Sequence, residues 1–194
     1  MLKTDQIYVA TNNVHKLKEI EKIASAYGFT VKPVYNLKYE IQSDRLDDVA
    51  LASAIFAYLV IRKPILVEDA GLFIKSLNGF PGVYSSFVYK TIGINGVLKL
   101  LENIEDRTAC FESVAVLIYN GKVYIGRGTT CGHVAKEPRG EKGFGFDPIF
   151  VPSEYGETRT FAEMEIEEKN RYSHRAKAVK SVLEQLLSDI NSIS

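Results

Sequence analysis

The run Pro64-Ile65-Leu66-Val67-Glu68-Asp69-Ala70-Gly71-Leu72 constrains this chain most. A rigid residue and three apolar ones lead straight into two adjacent carboxylates, then a small residue and a glycine. A short, β-branched apolar run of this kind reads as a buried strand. Its end is expected to lift Glu68 and Asp69 out of the core, with Gly71 allowing a sharp turn or a close approach to a ligand. Neighbouring strand residues point to opposite faces, so one acid can face a ligand while the other faces something else. A carboxylate placed this way suits a hard cation, because Mg²⁺ prefers one or two carboxylates together with waters and substrate phosphates. The competing reading is an acidic turn that caps the next element.

Upstream, Gln6-Ile7-Tyr8-Val9-Ala10 reads as a first strand. Thr11-Asn12-Asn13-Val14-His15-Lys16 follows, then a helical pattern with Leu17, Ile20, Ile23, Ala24 and Tyr27 on one face. A strand that feeds a helix through a small polar loop can cradle phosphate. The helix N-terminus offers N–H groups, Thr11 and the asparagines offer side-chain donors, and Lys16 adds a point charge. The Walker A spacing is absent. Thr11 to Asn13 acting only as a helix cap is the alternative. Glu40 stands as a lone acid after a second strand from Phe29 to Val34, and reads most simply as a solvated loop residue. Asp47 and Asp48 complement the start of a helix that runs on through the apolar stretch Val49 to Ile61, a helix expected to be buried on most sides.

Beyond the central run, Leu77-Asn78-Gly79-Phe80-Pro81-Gly82-Val83-Tyr84 is a turn-rich loop with a fixed backbone path. Asn95 is expected to cap a short helix carrying Val97, Leu98, Leu100 and Leu101. Two β-rich runs, Thr108 to Tyr119 and Val123 to Thr130, meet at Asn120-Gly121, a strong hairpin signal. A two-residue turn there sets Cys110 and Cys131 directly opposite one another, each ten positions from the turn. The pair is a cross-strand thiol pair or a disulfide. Intracellular disulfides are uncommon outside hyperthermophiles.

The last third contains Gly143-Phe144-Gly145-Phe146-Asp147-Pro148, a glycine-hinged aromatic loop, and then Glu168-Lys169-Asn170 before Ser173-His174-Arg175. Ser173 reads as the N-cap of a final helix with Val179, Val182, Leu183, Leu186 and Ile190 on its buried face. His174 and Arg175 put basic groups in the first turn, where the helix dipole disfavours them. Such local conflicts tend to mark functional sites, here a pocket for an anion or a carbonyl oxygen. Both side chains pointing to solvent is the plainer alternative.

Composition removes several classes. Lys plus Arg and Asp plus Glu number 24 each, so nothing suggests nucleic-acid or membrane binding. No apolar run approaches the ~18 residues of a membrane span, and Met1-Leu2-Lys3-Thr4-Asp5 carries no secretory apolar core. A cytoplasmic protein is the expectation. The three histidines are too scattered, even with two cysteines, for a zinc site of usual spacing.

Together these features describe a nucleotide pocket, with phosphates at one end, a metal in the middle and a base against an aromatic ring. Phosphoryl chemistry needs charge neutralisation and an aligned nucleophile more than a covalent catalyst. The chain resembles the inosine triphosphate pyrophosphatase family in four separated motifs. They are Ala10-Thr11-Asn12-Asn13 through Lys16, Val67 to Leu72 with Gly79 to Tyr84, Gly143 to Pro148, and Glu168-Lys169-Asn170 with Ser173-His174-Arg175.

The resemblance implies an α/β fold: a long mixed β-sheet with flanking helices, its two lobes around a central nucleotide-binding cleft, within a single domain over 1–194. It implies hydrolysis of non-standard purine nucleoside triphosphates (ITP, dITP, XTP) to the monophosphate and pyrophosphate, with Mg²⁺ as cofactor and a homodimer as the assembly. Thr11, Asn12, Asn13, Val14, His15 and Lys16 would hold the triphosphate. Glu40 and Asp69 would bind the metal, with Asp69 also acting as, or positioning, the base for the attacking water. Ala70 would contact substrate. Phe144, Gly145, Phe146 and Asp147 would line the base pocket, Phe144 stacking on the purine. Lys169, His174 and Arg175 would read a 6-oxo purine. The acid pair is thereby split, and Glu68 is left as support.

The sequence departs from the common family pattern at Asn12, where glycine is usual, at Ala70, where a hydroxyl residue is common, at Ala57, where many members carry a lysine, and at Ser86, where a basic residue is common. Asparagine tolerates a left-handed backbone best after glycine. Two other readings stay open: a Maf-like pyrophosphatase acting on pyrimidine or modified nucleotides, and a nucleotide-binding module without turnover.

Overall fold

The computed structural model describes residues 6–156 and 158–193; the start read for a secretory signal lies outside them. Among the described residues the chain forms a mixed α/β fold of six α-helices and a seven-stranded sheet. The strands are β1 (Gln6–Ala10), β2 (Thr30–Val34), β3 (Ile65–Ile74), β4 (Pro81–Gly82), β5 (Thr108–Tyr119), β6 (Lys122–Val134) and β7 (Phe150–Pro152). The helices are α1 (Val14–Ala26), α2 (Leu46–Ile61), α3 (Ser85–Thr91), α4 (Gly93–Leu100), α5 (Ile166–Tyr172) and α6 (His174–Ile193). Strand order is β2-β1-β3-β5-β6-β7, with β4 paired to β3. β1 runs parallel to β2 and β3, whereas β4 and β7 pair antiparallel with β3 and β6. No helix among the described residues is long and apolar enough to cross a membrane.

Contacts divide the chain into two compact units. The first holds the residues up to Asp69, Ser113–Gly128 and those from Arg175 on; the second holds Ala70–Glu112 and Thr129–His174. In the first unit, sheet residues Ile7, Val9, Leu66, Ala115 and Leu117 pack with Ile20 and Ile23 of α1 and with Val179, Val182 and Leu183 of α6. The expected apolar faces of both helices are the ones buried, except at Ile190 near the end of α6, which is exposed. β6 and α6 approach so closely that a Cβ on Gly126 would stand 2.3 Å from the Ala178 carbonyl oxygen. In the second unit, Leu72, Ile74, Phe111, Val134, Phe150, Phe161 and Met164 form a separate core.

The central run differs from its sequence reading. β3 is ten residues long, so Glu68 and Asp69 lie inside the strand and not beyond its end. Both are buried. Pairing carries the strand onward: Leu72 lies opposite Gly82 and Phe73 opposite Pro81, and the Leu72 N–H donates to Ser85 Oγ at 2.8 Å. Gly71 makes that pairing possible, since a Cβ there would lie 2.2 Å from the Gly82 carbonyl oxygen. Gly71 thus serves a close approach of backbone to backbone.

Three further expectations change. α2 buries Val49, Ala50, Ser53, Ala54 and Ala57 but exposes Ile55, Phe56, Leu59 and Val60, so it is covered on one face, not most. A run apolar all round does not reveal which side is packed. Asn95 lies inside α4 rather than at its cap, which is Ile92. The helix begins earlier because α3 runs almost directly into it, ending at Thr91. Asn12 has no positive φ; its Oδ1 accepts instead from the N–H of Asn36, which itself sits at φ 59°.

The hairpin follows the sequence. Asn120 and Gly121 both adopt positive φ, at 49° and 79°, the conformation a type I′ turn requires. The pairing persists to its far end, where the Val134 N–H donates to the Arg107 carbonyl at 2.9 Å. Cys110 and Cys131 close a disulfide. Closing a loop of about 20 residues removes unfolded-state entropy worth roughly 3 kcal/mol. Cys110→Ala/Cys131→Ala is therefore expected to lower the unfolding free energy by about 2–3 kcal/mol. Urea melts of the oxidised wild type and the double variant check this; coincident midpoints would contradict it.

Candidate active site

In the first unit, β1 delivers the loop Thr11 to Asn13 to the start of α1. Thr11 Oγ1 accepts from the Asn13 N–H at 3.1 Å. Asn13 is the N-cap, and its Oδ1 accepts from the N–H groups of His15 and Lys16 at 2.9 and 3.2 Å. Asn13 therefore caps α1. Val14 and His15 are exposed in the first turn. Lys16 extends back toward β3, where its Nζ pairs with Glu68 Oε2 at 2.9 Å.

Glu68 is the hub of a buried polar network. Ser113 Oγ donates to its Oε1 at 2.6 Å. Arg175 Nε faces its Oε2 at 3.1 Å, and Arg175 Nη1 also pairs with Glu19, which is buried on α1. Burial works against a charged Glu68, yet Arg175 and Lys16 overcome it and hold the carboxyl far below the usual range. Burial likewise pushes the Lys16 ammonium down from its ordinary value, with Glu68 opposing. For Arg175, burial is outweighed by Glu68 and Glu19, which raise its pKa. Arg175 is thus bound to the protein's own carboxylates at the root of α6.

Asp69, next along the strand, has different partners, as strand alternation requires. Its Oδ1 lies 2.7 Å from Lys38 Nζ. The same ammonium lies 2.6 Å from Glu40 Oε1. Burial alone would lower the Lys38 pKa, but Asp69 and Glu40 raise it above the ordinary lysine value. Lys16 reaches both the carboxylate and the carbonyl of Glu68, the residue before Asp69, so the acid pair and the α1 loop share one neighbourhood. Two carboxylate oxygens already converging on one positive centre fit a hard cation, which takes one or two carboxylates and completes its shell with water and phosphate oxygens. Among the described residues no group of three His, Cys, Asp or Glu gathers around a common point. Glu40 and Asp69 are the pair that could hold a metal.

In the second unit, Gly143-Phe144-Gly145 folds over Asp147. Gly143 and Gly145 have φ of 73° and 63°, and a Cβ on Gly143 would stand 2.2 Å from Asp147 Oδ2. That oxygen accepts from the Phe144 N–H at 2.8 Å and pairs with Lys169 Nζ, from α5, at 2.6 Å. Asp147 and Lys169 are both buried. Lys169 Nζ lies 5.0 Å from the centre of the half-buried Phe144 ring and 5.4 Å from that of Phe161. His174 is buried and stacks on Phe111 at 4.6 Å and 10°. Phe146 turns into the core, edge-on to Tyr89 at 5.6 Å.

The sequence-predicted residues therefore gather in two sets. Thr11 to Lys16, Glu40, Asp69 and Arg175 belong to the first unit; Ala70, Phe144 to Asp147, Lys169 and His174 belong to the second. Neither His174 nor Arg175 points to solvent. Sequence reasoning missed Lys38, Glu19 and Ser113. Glu19 carried a signal: it lies three residues after Lys16 and four before Ile23, on the apolar face of α1. Lys38 carried none, because its two acids come from separate segments.

The first set offers groups suited to an anion and a cation, and the second a half-buried aromatic ring beside an ammonium. A protein-family model described as the Ham1 family matches residues 7–185. A dITP/XTP pyrophosphatase of Hyperthermus butylicus is 52% identical over 176 residues, covering 91% of this chain and 92% of that one. A second, from Saccharolobus solfataricus, is 47% identical over 186 residues and covers 94% of each chain. Among solved structures, a HAM1 protein from Coxiella burnetii superposes with a TM-score of 0.78 at 32% identity, covering 95% of this chain and 99% of that one.

Proposed function

Because the chain belongs to the Ham1 family, we propose that it is a nucleoside triphosphate pyrophosphatase. It hydrolyses non-standard purine nucleoside triphosphates, ITP, dITP and XTP, to the monophosphate and pyrophosphate. The observation that carries this reading is the convergence of Glu40 and Asp69 on one cation in the neighbourhood of the α1 loop. The whole chain, 1–194, acts as one such domain in the cytoplasm.

Thr11 to Asn13, the first-turn residues Val14 and His15, and Lys16 bind the triphosphate through side chains, helix-start N–H groups and charge. Glu40 and Asp69 hold Mg²⁺, which when bound neutralises charge on the triphosphate. Asp69 accepts, or positions the group that accepts, the proton of the attacking water. Attack at the α-phosphorus breaks the α–β anhydride, and pyrophosphate leaves. Ala70 contacts the substrate through its backbone. On the base side, Phe144 stacks on the purine, supported by Gly145 and Phe146, while Lys169, held by Asp147, reads the 6-oxo group with His174; Arg175, paired with Glu68 and Glu19, holds the first unit's network instead. A homodimer is the proposed assembly, and the uncovered apolar side chains of α2 are in keeping with it.

Base stacking on an aromatic ring is worth about 1–3 kcal/mol. Phe144→Ala is therefore expected to lower kcat/KM for ITP by roughly ten- to a hundredfold. Its melting temperature should change little, since the ring is only half-buried. Comparing kcat/KM for ITP and XTP with that for dTTP and UTP tests the substrate class. Preference for the pyrimidines would transfer the assignment to a Maf-like activity.

A further inference from the structure

We propose that Lys38 is an internal counter-cation of the Glu40–Asp69 pair, which a divalent ion must displace before it can bind. This rests on the reading of Glu40 and Asp69 as metal ligands. The geometry is specific. One ammonium bridges two carboxylates that come from different segments, at 2.6 Å to Glu40 Oε1 and 2.7 Å to Asp69 Oδ1.

The Lys38 side chain is 17% exposed and that of Asp69 11%, so the inner half of the bridge is largely out of water. Attraction there is weakly screened. Glu40 is different, with a side chain 63% exposed. Lys38 reaches out to it from the buried side, so the ammonium occupies the space between the two carboxylates.

The charge count gives the consequence. Two carboxylates and one ammonium leave a single negative charge, a weak attractant for a free divalent ion. Once the ion is seated, the ammonium has lost both partners and lies beside a site with a positive surplus. A triphosphate relieves that surplus by offering phosphate oxygens to the released Lys38. Free metal is thus held off, while metal arriving with a triphosphate is accepted. Lys38 is a positioning residue for the metal pair and, after its release, a phosphate-binding group.

The test uses Mn²⁺ alone, titrated into the full-length protein without nucleotide and followed by electron paramagnetic resonance. Lys38→Met is expected to bind Mn²⁺ at least about tenfold more tightly than wild type. Lys38→Arg, which keeps the charge, is expected to stay near the wild-type affinity. Circular dichroism establishes that each variant is folded. Equal or weaker binding by Lys38→Met would overturn the proposal. So would tightening in Lys38→Arg as large as in Lys38→Met. Should neither wild type nor Lys38→Met bind Mn²⁺, the proposal fails together with the metal-ligand reading beneath it. Pyrophosphate release from ITP, measured separately, shows whether the proposed function falls with them.

Discussion

Asp69→Asn is expected to lower turnover of ITP by about 10²- to 10⁴-fold, the usual contribution of a positioned general base. The variant keeps the shape of the side chain but loses the negative charge that faces Lys38 and the proton acceptor that the reaction needs. Its fold should survive. Asp69 lies in the middle of a ten-residue strand whose backbone pairing is independent of that carboxylate. Steady-state kinetics with a coupled pyrophosphate assay, beside a thermal melt, separate the two effects. Near-normal turnover in a folded variant would remove Asp69 from the chemistry.

The adjacent acid should respond in the opposite sense. Glu68→Gln is expected to cost about 3–5 kcal/mol of stability, the range for breaking a buried ion pair. The amide can keep the Ser113 hydroxyl, but it leaves Lys16 and Arg175 facing each other with one counter-charge fewer. Urea denaturation measures the loss.

The pH dependence of that loss has a definite sign. Glu68 has a folded-state pKa well below its ordinary value of 4.5, burial being outweighed by Arg175 and Lys16. Such a group contributes stability that is fully present above the unfolded pKa and declines as pH falls toward the folded one. The stability gap between wild type and Glu68→Gln should therefore be constant near neutrality and narrow below about pH 4.5. A gap that widens on acidification would contradict the network.

These two acids show how far the sequence could be read. Their alternation on a strand was legible, because the side-chain period of a strand is fixed. That the strand continues past them was not. Its continuation is paired by β5 and, at its far end, by β4, a two-residue strand whose pairing is made possible by the close approach at Gly71. The hairpin was legible down to the partner of Cys110, because a two-residue turn sets every register position beyond it. Closure of the bond is chemistry that register alone does not decide.

The aromatic loop shows the same boundary. Gly143 and Gly145 announced an unusual backbone, but Asp147 as the group they wrap, and Lys169 as its partner from α5, required the fold. Polar networks built from distant segments leave little local pattern, an acid on the apolar face of a helix such as Glu19 being the exception. Lys38, Glu19 and Ser113 each meet an acid or base supplied by a different element, and local reading passed over all three. α2 failed in another way: its sequence is apolar on all sides, so periodicity could not say which face is packed.

The bond that is cut is read directly from the phosphorus NMR spectrum of ITP turned over by the purified protein with Mg²⁺. Cleavage of the α–β anhydride gives inosine monophosphate and a pyrophosphate resonance appearing together, with no inosine diphosphate formed on the way. Inosine diphosphate with orthophosphate would place cleavage at the β–γ bond and contradict the proposed function, as would ITP left intact.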